Sequence, residues 1–172
     1  MGKYVAPGGG KFATPAALAA RVSEAWDGGE SARRAERAGG LGGPRRALVV
    51  CTGGEPLLQL DGPLVEALHA QGFEVAVETN GTQEPPPGLD WVCVSPKSEA
   101  PLALRRGDEL KLVYPQADAP PGRFEDLAFR HFFLQPMDGP DREANTRAAI
   151  AYCLAHPRWR LSLQTHKLVG LP

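Results

Sequence analysis

Five short polar segments of this 172-residue chain carry the groups able to do chemistry. Thr52-Gly53-Gly54-Glu55-Pro56 offers a hydroxyl, two residues without side chains and a carboxylate. Paired glycines let a ligand lie against bare backbone N–H and C=O groups, and a glutamate just after them suits an ammonium through a charge-assisted bond. The GxxxxGKS/T spacing of a phosphate loop is absent, so the segment is not a phosphate cradle of that kind. A plain tight turn into the next helix stays an alternative. In Ser95-Pro96-Lys97 the proline fixes the backbone and aims its neighbours; Lys97 then suits a carboxylate, or is a solvated surface lysine. Gln135-Pro136-Met137-Asp138 brings an amide, a thioether and a carboxylate, although Met137 alone reads as core packing. Glu78-Thr79-Asn80-Gly81-Thr82 is a fourth polar stretch and Gln164-Thr165-His166-Lys167 a fifth. His166 is the histidine placed for function, whereas His69 and His156 read as surface or cap residues and His131 as packing.

Each polar segment follows a short apolar run, and that pattern says what must position it. Ala47–Cys51, Phe73–Val77, Trp91–Val94, Leu110–Val113, Phe132–Leu134 and Leu161–Leu163 read as strands. Between them, Leu64, Val65, Ala67 and Leu68 predict a helix ending at Gly72, residues 124–127 a short helix, and residues 141–155 a longer one facing inward with Ala149, Ile150, Cys153 and Leu154. Strands alternating with crossovers imply a mostly parallel sheet, open or curved into a partial barrel. In such sheets ligands bind beyond the carboxyl ends of the strands, which is where the polar segments fall. Before the sheet, Thr14-Pro15 opens a helix as N-cap and first-turn proline, with Leu18, Val22 and Trp26 on one stripe. Residues 27–46 read as a glycine- and arginine-rich flexible loop.

Composition narrows the classes further. Hydrophobic residues at 42% and charged residues at 23% are ordinary for a soluble domain. Twenty glycines and 17 prolines argue against a helical bundle or coiled coil. A net charge of −1 gives no general attraction to nucleic acid or anionic membrane. There is neither an apolar run of bilayer length nor an apolar leader at Met1–Pro7, so a cytoplasmic location is expected. The three cysteines, Cys51, Cys93 and Cys153, are widely spaced; they form no zinc knuckle, CxxC or disulfide framework and read as free thiols.

The polar segments in their order carry a resemblance. Thr52-Gly53-Gly54-Glu55-Pro56 after an apolar strand resembles the GGE signature of radical S-adenosylmethionine enzymes. With Glu78-Thr79-Asn80-Gly81-Thr82, Ser95-Pro96-Lys97, Glu109-Leu110-Lys111, Gln135-Pro136-Met137, Gln164-Thr165-His166-Lys167 and the closing Gly170-Leu171-Pro172, the set is similar to the 7-carboxy-7-deazaguanine synthase family from about Arg46 to Pro172. A weaker match lies around Gly10-Lys11-Phe12 and the first helix. The resemblance implies an α/β fold, a partial and mostly parallel (βα) barrel with about six strands present. It implies S-adenosylmethionine, a 4Fe-4S cluster and Mg²⁺ as cofactors, an external electron donor and, in many members, a homodimer. It implies conversion of 6-carboxy-5,6,7,8-tetrahydropterin to 7-carboxy-7-deazaguanine with loss of ammonia, feeding queuosine and related deazapurines. By similarity, Gly54 lines the methionine end of S-adenosylmethionine and Glu55 helps hold its amino group. Ser95, Pro96 and Lys97 form a second wall, and Gln135, Pro136, Met137 and Asp138 a third near adenine and ribose. Thr52, His166 and the carboxylate of Pro172 contact the pterin.

The sequence departs from the family at one place. The CxxxCxxC-like loop that holds the cluster is absent, with the Mg²⁺ ligand that follows it and an arginine and a glutamate that contact substrate. Iron–sulfur clusters need thiolates converging on one point, and the first cysteine here, Cys51, already lies on the strand before the glycines. The expectation is a single domain over residues 1–172, lacking its N-terminal cluster unit, unable to generate the radical alone and prone to self-association through an open sheet edge. The alternatives are a non-catalytic relative that binds S-adenosylmethionine or a pterin, and a generic α/β interaction domain.

Overall fold

A computed structural model describes residues 10–27, 47–97 and 101–170. Pro172, placed against the pterin by resemblance, and nearly all of the loop read over residues 27–46 lie outside the described residues. The described part is built on one six-stranded sheet in the order β1 to β6, every neighbouring pair parallel. The strands are β1 (Ala47–Cys51), β2 (Phe73–Thr79), β3 (Trp91–Val94), β4 (Arg106–Tyr114), β5 (Ala128–Pro136) and β6 (Trp159–Leu161). The α/β reading of a mostly parallel sheet therefore holds, with every described pair parallel, and all carboxyl ends lie along one rim.

Helix α1 (Pro15–Asp27) starts as its residues dictate: Thr14 Oγ1 accepts from Ala17 N at 3.2 Å, with Pro15 in the first turn. Helix α2 (Gly62–Ala70) crosses from β1 to β2 and is capped by Asp61, whose Oδ1 accepts from Leu64 N at 3.0 Å. Helix α3 (Arg142–Ala155) crosses from β5 to β6, and a four-residue helix α4 (Thr165–Leu168) follows β6. The crossovers from β2 to β3 and β3 to β4 contain no helix among the described residues, and that from β4 to β5 holds one 3₁₀ turn at Pro121–Phe124.

One sheet face is apolar and covered. Val65, Leu68, Phe73, Val75 and Val77 pack with Ala19 of α1; Leu110, Leu112, Phe132, Leu134, Ala149 and Trp159 form the second part of the core. Period-two alternation sends the intervening residues to the opposite face, so Glu74 is exposed and Glu78, Glu109 and Lys111 stay partly exposed while Leu110 and Leu112 are sealed. Cross-strand register aligns Glu78, Cys93, Glu109 and His131 in one row across β2 to β5. The uncovered face is therefore mixed, with charges on β2 and β4 beside the apolar Leu48, Val50 and Trp91.

Several boundaries differ from the sequence reading. The final strand was expected over Leu161–Leu163 but runs over Trp159–Leu161, because Trp159, 2% exposed, is the anchor that the core takes. Residues 125–127 are not helical, and β5 starts at Ala128, pairing with Arg106 of β4. The first halves of β4 and β5 escaped notice because charged residues such as Arg106, Asp108 and Arg130 break the apolar run where strands begin.

Candidate functional site

At the carboxyl rim the strand ends enclose a cavity of about 500 Å³. Thr52, Gly53 and Gly54 reach it from β1, Glu78, Thr79 and Asn80 from β2, Ser95 and Lys97 from β3, Lys111 and Val113 from β4, Gln135 from β5, and Ser162, Leu163, Gln164 and His166 from β6 and the start of α4. Six of the sequence-selected residues thus meet: Thr52, Gly54, Ser95, Lys97, Gln135 and His166.

The glycine turn is shaped for close approach. Gly53 and Gly54 have φ of 89° and 53°, conformations that side chains disfavour, and nothing lies within 4 Å of a Cβ built at either. The turn is held from behind by Glu55, whose carboxylate is committed to the protein itself. Oε1 accepts from Leu57 N at 3.1 Å and from Thr79 Oγ1 at 2.6 Å, and Oε2 from Asn80 N at 2.8 Å. One side chain so caps the 3₁₀ turn Pro56–Leu58 and ties the end of β1 to the end of β2. Glu55 stands beside the cavity rather than lining it.

The third wall divides in the same way. Gln135 faces the cavity; Pro136 is buried as the last residue of β5, and Met137, 38% exposed, lies outside it, its N–H donating to Tyr114 O at 2.7 Å. Asp138 is hydrogen-bonded to Lys167 Nζ, pinning α4 to the β5 terminus. That ammonium first, then the Gly139 N–H, holds the Asp138 carboxyl below its ordinary range. Pro96 is buried under the β3 turn, where Ser95 N donates to Thr79 O at 2.8 Å. Lys97 is exposed at the rim.

Sequence reasoning quoted the cavity-floor residues Glu78 and Lys111 within its motifs but gave neither a role. Lys111 Nζ donates to Glu78 Oε1 at 2.8 Å, with the lysine side chain only 16% exposed and the glutamate 42%. Burial works against the Lys111 charge, but the Glu78 bond and the surrounding anionic groups outweigh it and raise its pKa above the ordinary range. Both residues belong to strands, Glu78 next to the end of β2 and Lys111 within β4, and only the structure shows that their side chains pair across β3. Their signal was present, as charges at alternate positions of strands whose other face is wholly apolar.

The thiols do not form a cluster site. Cys51 packs with the core under β1, Cys153 with the core under α3, and Cys93 lies on the opposite sheet face. All three are shifted toward the neutral thiol by burial, Cys93 up to about 12, with Lys111 lowering it and Glu109 and Glu78 raising it. Among the described residues no three His, Cys, Asp or Glu side chains converge as metal ligands. The donors among the described residues thus fit neither an iron–sulfur cluster nor a divalent cation. The cavity does fit an organic ligand bearing a carboxylate and several hydrogen-bonding edges, since it combines an exposed ammonium, hydroxyls, an amide and bare backbone.

Fold and cavity together define an α/β ligand-binding protein of the parallel-sheet type, with its site at the carboxyl rim. The chain is 60% identical over 165 residues to the 7-carboxy-7-deazaguanine synthase of Bordetella pertussis, a match covering 96% of this chain and 72% of that protein. It belongs to the 7-carboxy-7-deazaguanine synthase family. The synthase of Caulobacter vibrioides is 58% identical, covering 95% of this chain and 71% of the relative. Among solved structures, QueE from Escherichia coli superposes with a TM-score of 0.55 at 32% identity, over 77% of this chain and 60% of that one. No protein-family model matches the chain. Among the described residues no helix is long and apolar enough to cross a membrane.

Proposed function

We propose that the rim cavity binds S-adenosylmethionine beside 6-carboxy-5,6,7,8-tetrahydropterin, and that the chain serves the conversion of that pterin to 7-carboxy-7-deazaguanine with loss of ammonia, a step of queuosine biosynthesis. The observation carrying this reading is the convergence of Thr52, Gly54, Ser95, Lys97, Gln135 and His166 on one cavity in a chain 60% identical to a protein bearing the synthase's name.

The residues divide the work by their chemistry. Backbone at Gly53-Gly54 takes the methionine end of the cofactor, where only a residue without a side chain leaves room. Lys97 meets its carboxylate through a charge-assisted bond, with Ser95 beside it and Pro96 fixing both. Gln135 offers donor and acceptor to the adenosine part, and Pro136, Met137 and Asp138 hold that wall. Glu55 and Asp138 act through what they fasten, the glycine turn and α4. Thr52 and His166 face the pterin, joined by Pro172 at the chain terminus. What S-adenosylmethionine supplies in this chemistry is abstraction of a substrate hydrogen.

The electron for that abstraction needs a cluster held by converging thiolates. The thiols of this chain are dispersed and held neutral, so these 172 residues supply the cradle for cofactor and substrate and do not generate the radical by themselves. The same dispersion favours the second reading, a relative that binds these ligands without radical chemistry.

Ligand-dependent melting tests the binding reading. S-adenosylmethionine at about 100 times its dissociation constant should raise Tm by roughly 5–10 °C, and 6-carboxypterin should add to it. No shift with either ligand would refute the assignment. After anaerobic treatment with iron and sulfide the chain should form no 5′-deoxyadenosine; sustained formation would refute its dependence on thiolates from elsewhere.

A further inference from the structure

Helix α3 turns much of its apolar surface to water. Ile150 and Leu154, expected from the sequence to face inward, are 41% and 79% exposed. The side that meets the core is narrow: Ala149 is the buried residue, with Tyr152 and Cys153 packed beside it. At 3.6 residues per turn, the stripe opposite Ala149 consists of Ala144, Arg147, Ala151 and Leu154. Glu143 and Ile150 flank it on one side and Ala148 and Ala155 on the other, and all eight are exposed.

The steps along that stripe alternate between three and four residues, the spacing of a seam between two paired helices. Its side chains read small, large, small, large, and end over end that order complements itself. A two-fold axis at the level of Ala149 sets Ala144 against Leu154 of a second copy and Arg147 against Ala151, so the surfaces interdigitate. Arg147 lays its apolar stem along the seam while its guanidinium stays on Glu143 of its own helix. Charge selects the same arrangement. Asp141 and Glu143 stand at the start of α3, and His156 and Arg158 just past its end. Arg142, seven residues before Ala149, shares the inward phase and lies away from the seam. Antiparallel pairing puts the acidic start of each helix beside the basic end of the other and opposes the two helix dipoles. Parallel pairing sets like against like.

We propose that the outer face of α3 docks a second copy of this chain in an antiparallel, two-fold pairing of the two helices. The occupant is another copy because the face matches itself twice over, in the order of its side-chain sizes and in the order of its charges. Such an isologous contact closes at two chains. The inference is independent of what the rim cavity binds, and α3 is separate from the exposed β1 edge, which lies at the other end of the strand order. Fourteen helical residues span only about 21 Å, so the interface is small.

Sedimentation equilibrium of the full chain over a concentration series tests it, with Val50→Lys as the background so that pairing through the β1 edge does not contribute. That chain should fit a monomer–dimer equilibrium with a dissociation constant of about 10–100 µM, the weak end expected of one helix pair. Adding Leu154→Glu should weaken dimerisation at least about tenfold. Leu154 is exposed in the single chain, so the melting temperature at low concentration should not change. Glu143→Lys and His156→Glu should each weaken the dimer, and the two together, which exchange the charges of the helix ends, should restore it. A Val50→Lys chain that stays monomeric throughout overturns the proposal, as does dimerisation that Leu154→Glu leaves unchanged. Failure of the charge exchange to restore pairing overturns the antiparallel arrangement and the choice of a second copy that rests on it.

Discussion

Glu55 illustrates how a residue can serve a site without touching its contents. Its two oxygens satisfy Leu57 N, Thr79 Oγ1 and Asn80 N, so truncation leaves two backbone N–H groups and the Thr79 hydroxyl proton without that acceptor. Glu55→Ala should therefore destabilise the fold by about 1–3 kcal/mol as well as loosen the glycine turn, and thermal melting would show it; an unchanged Tm would mean the bonds contribute nothing. Cys93 makes a second prediction at this scale. Burial lifts its thiol from 9.0 to about 12, so the folded state disfavours the thiolate. The stability linked to this group is whole below pH 9 and falls as pH rises toward 12. Urea unfolding at pH 8 and pH 10.5 should lose more stability in the wild type than in Cys93→Ala; equal losses would contradict the assigned burial.

At the scale of elements, what was legible and what was not follows from where water lies. The ends of β1, β2, β3 and β5 could be read because apolar runs give way to glycine, proline and polar residues at the rim. The starts of β4 and β5 could not, since Arg106, Asp108 and Arg130 lie at the opposite, solvated end of the sheet. The pairing of Glu78 with Lys111 was not legible for a related reason: it joins two strands that are not neighbours, and no sequence spacing records that. The end of β6 was misplaced because Leu161 and Leu163 look like core, whereas Leu163 is 44% exposed at the cavity and Trp159 is the buried anchor. Helix α4 has four residues and no buried side chain, too few to stand by propensity alone, and its tether is Lys167 to Asp138. The Asp138 carboxyl is held low by that bond, so the tether is complete above the ordinary carboxylate range and lost as pH falls through the lowered value. Lys167→Met should speed proteolytic cleavage around residues 162–170 at neutral pH; cleavage at the wild-type rate would mean that α4 is held by something else.

For the whole molecule, a parallel sheet places every strand end on one side, and that topology gathers groups from Thr52 to His166 into one cavity. Among the described residues it also leaves β1 at an edge, with Leu48 51% and Val50 46% exposed. Five apolar residues with no charge or proline make an edge open to pairing with another strand. Light scattering should show self-association that Val50→Lys reduces, and a monomer at all concentrations would contradict this. The central claim is that the glycine turn and the facing strand ends hold S-adenosylmethionine, and calorimetric titration of that ligand into the full chain tests it most directly. Wild type should bind one equivalent, Gly54→Val, which puts a branched side chain into the open space at φ 53°, should bind at least about tenfold more weakly, and Lys97→Met should also weaken binding. No heat with the wild type, or equal affinity in all three proteins, would contradict the account.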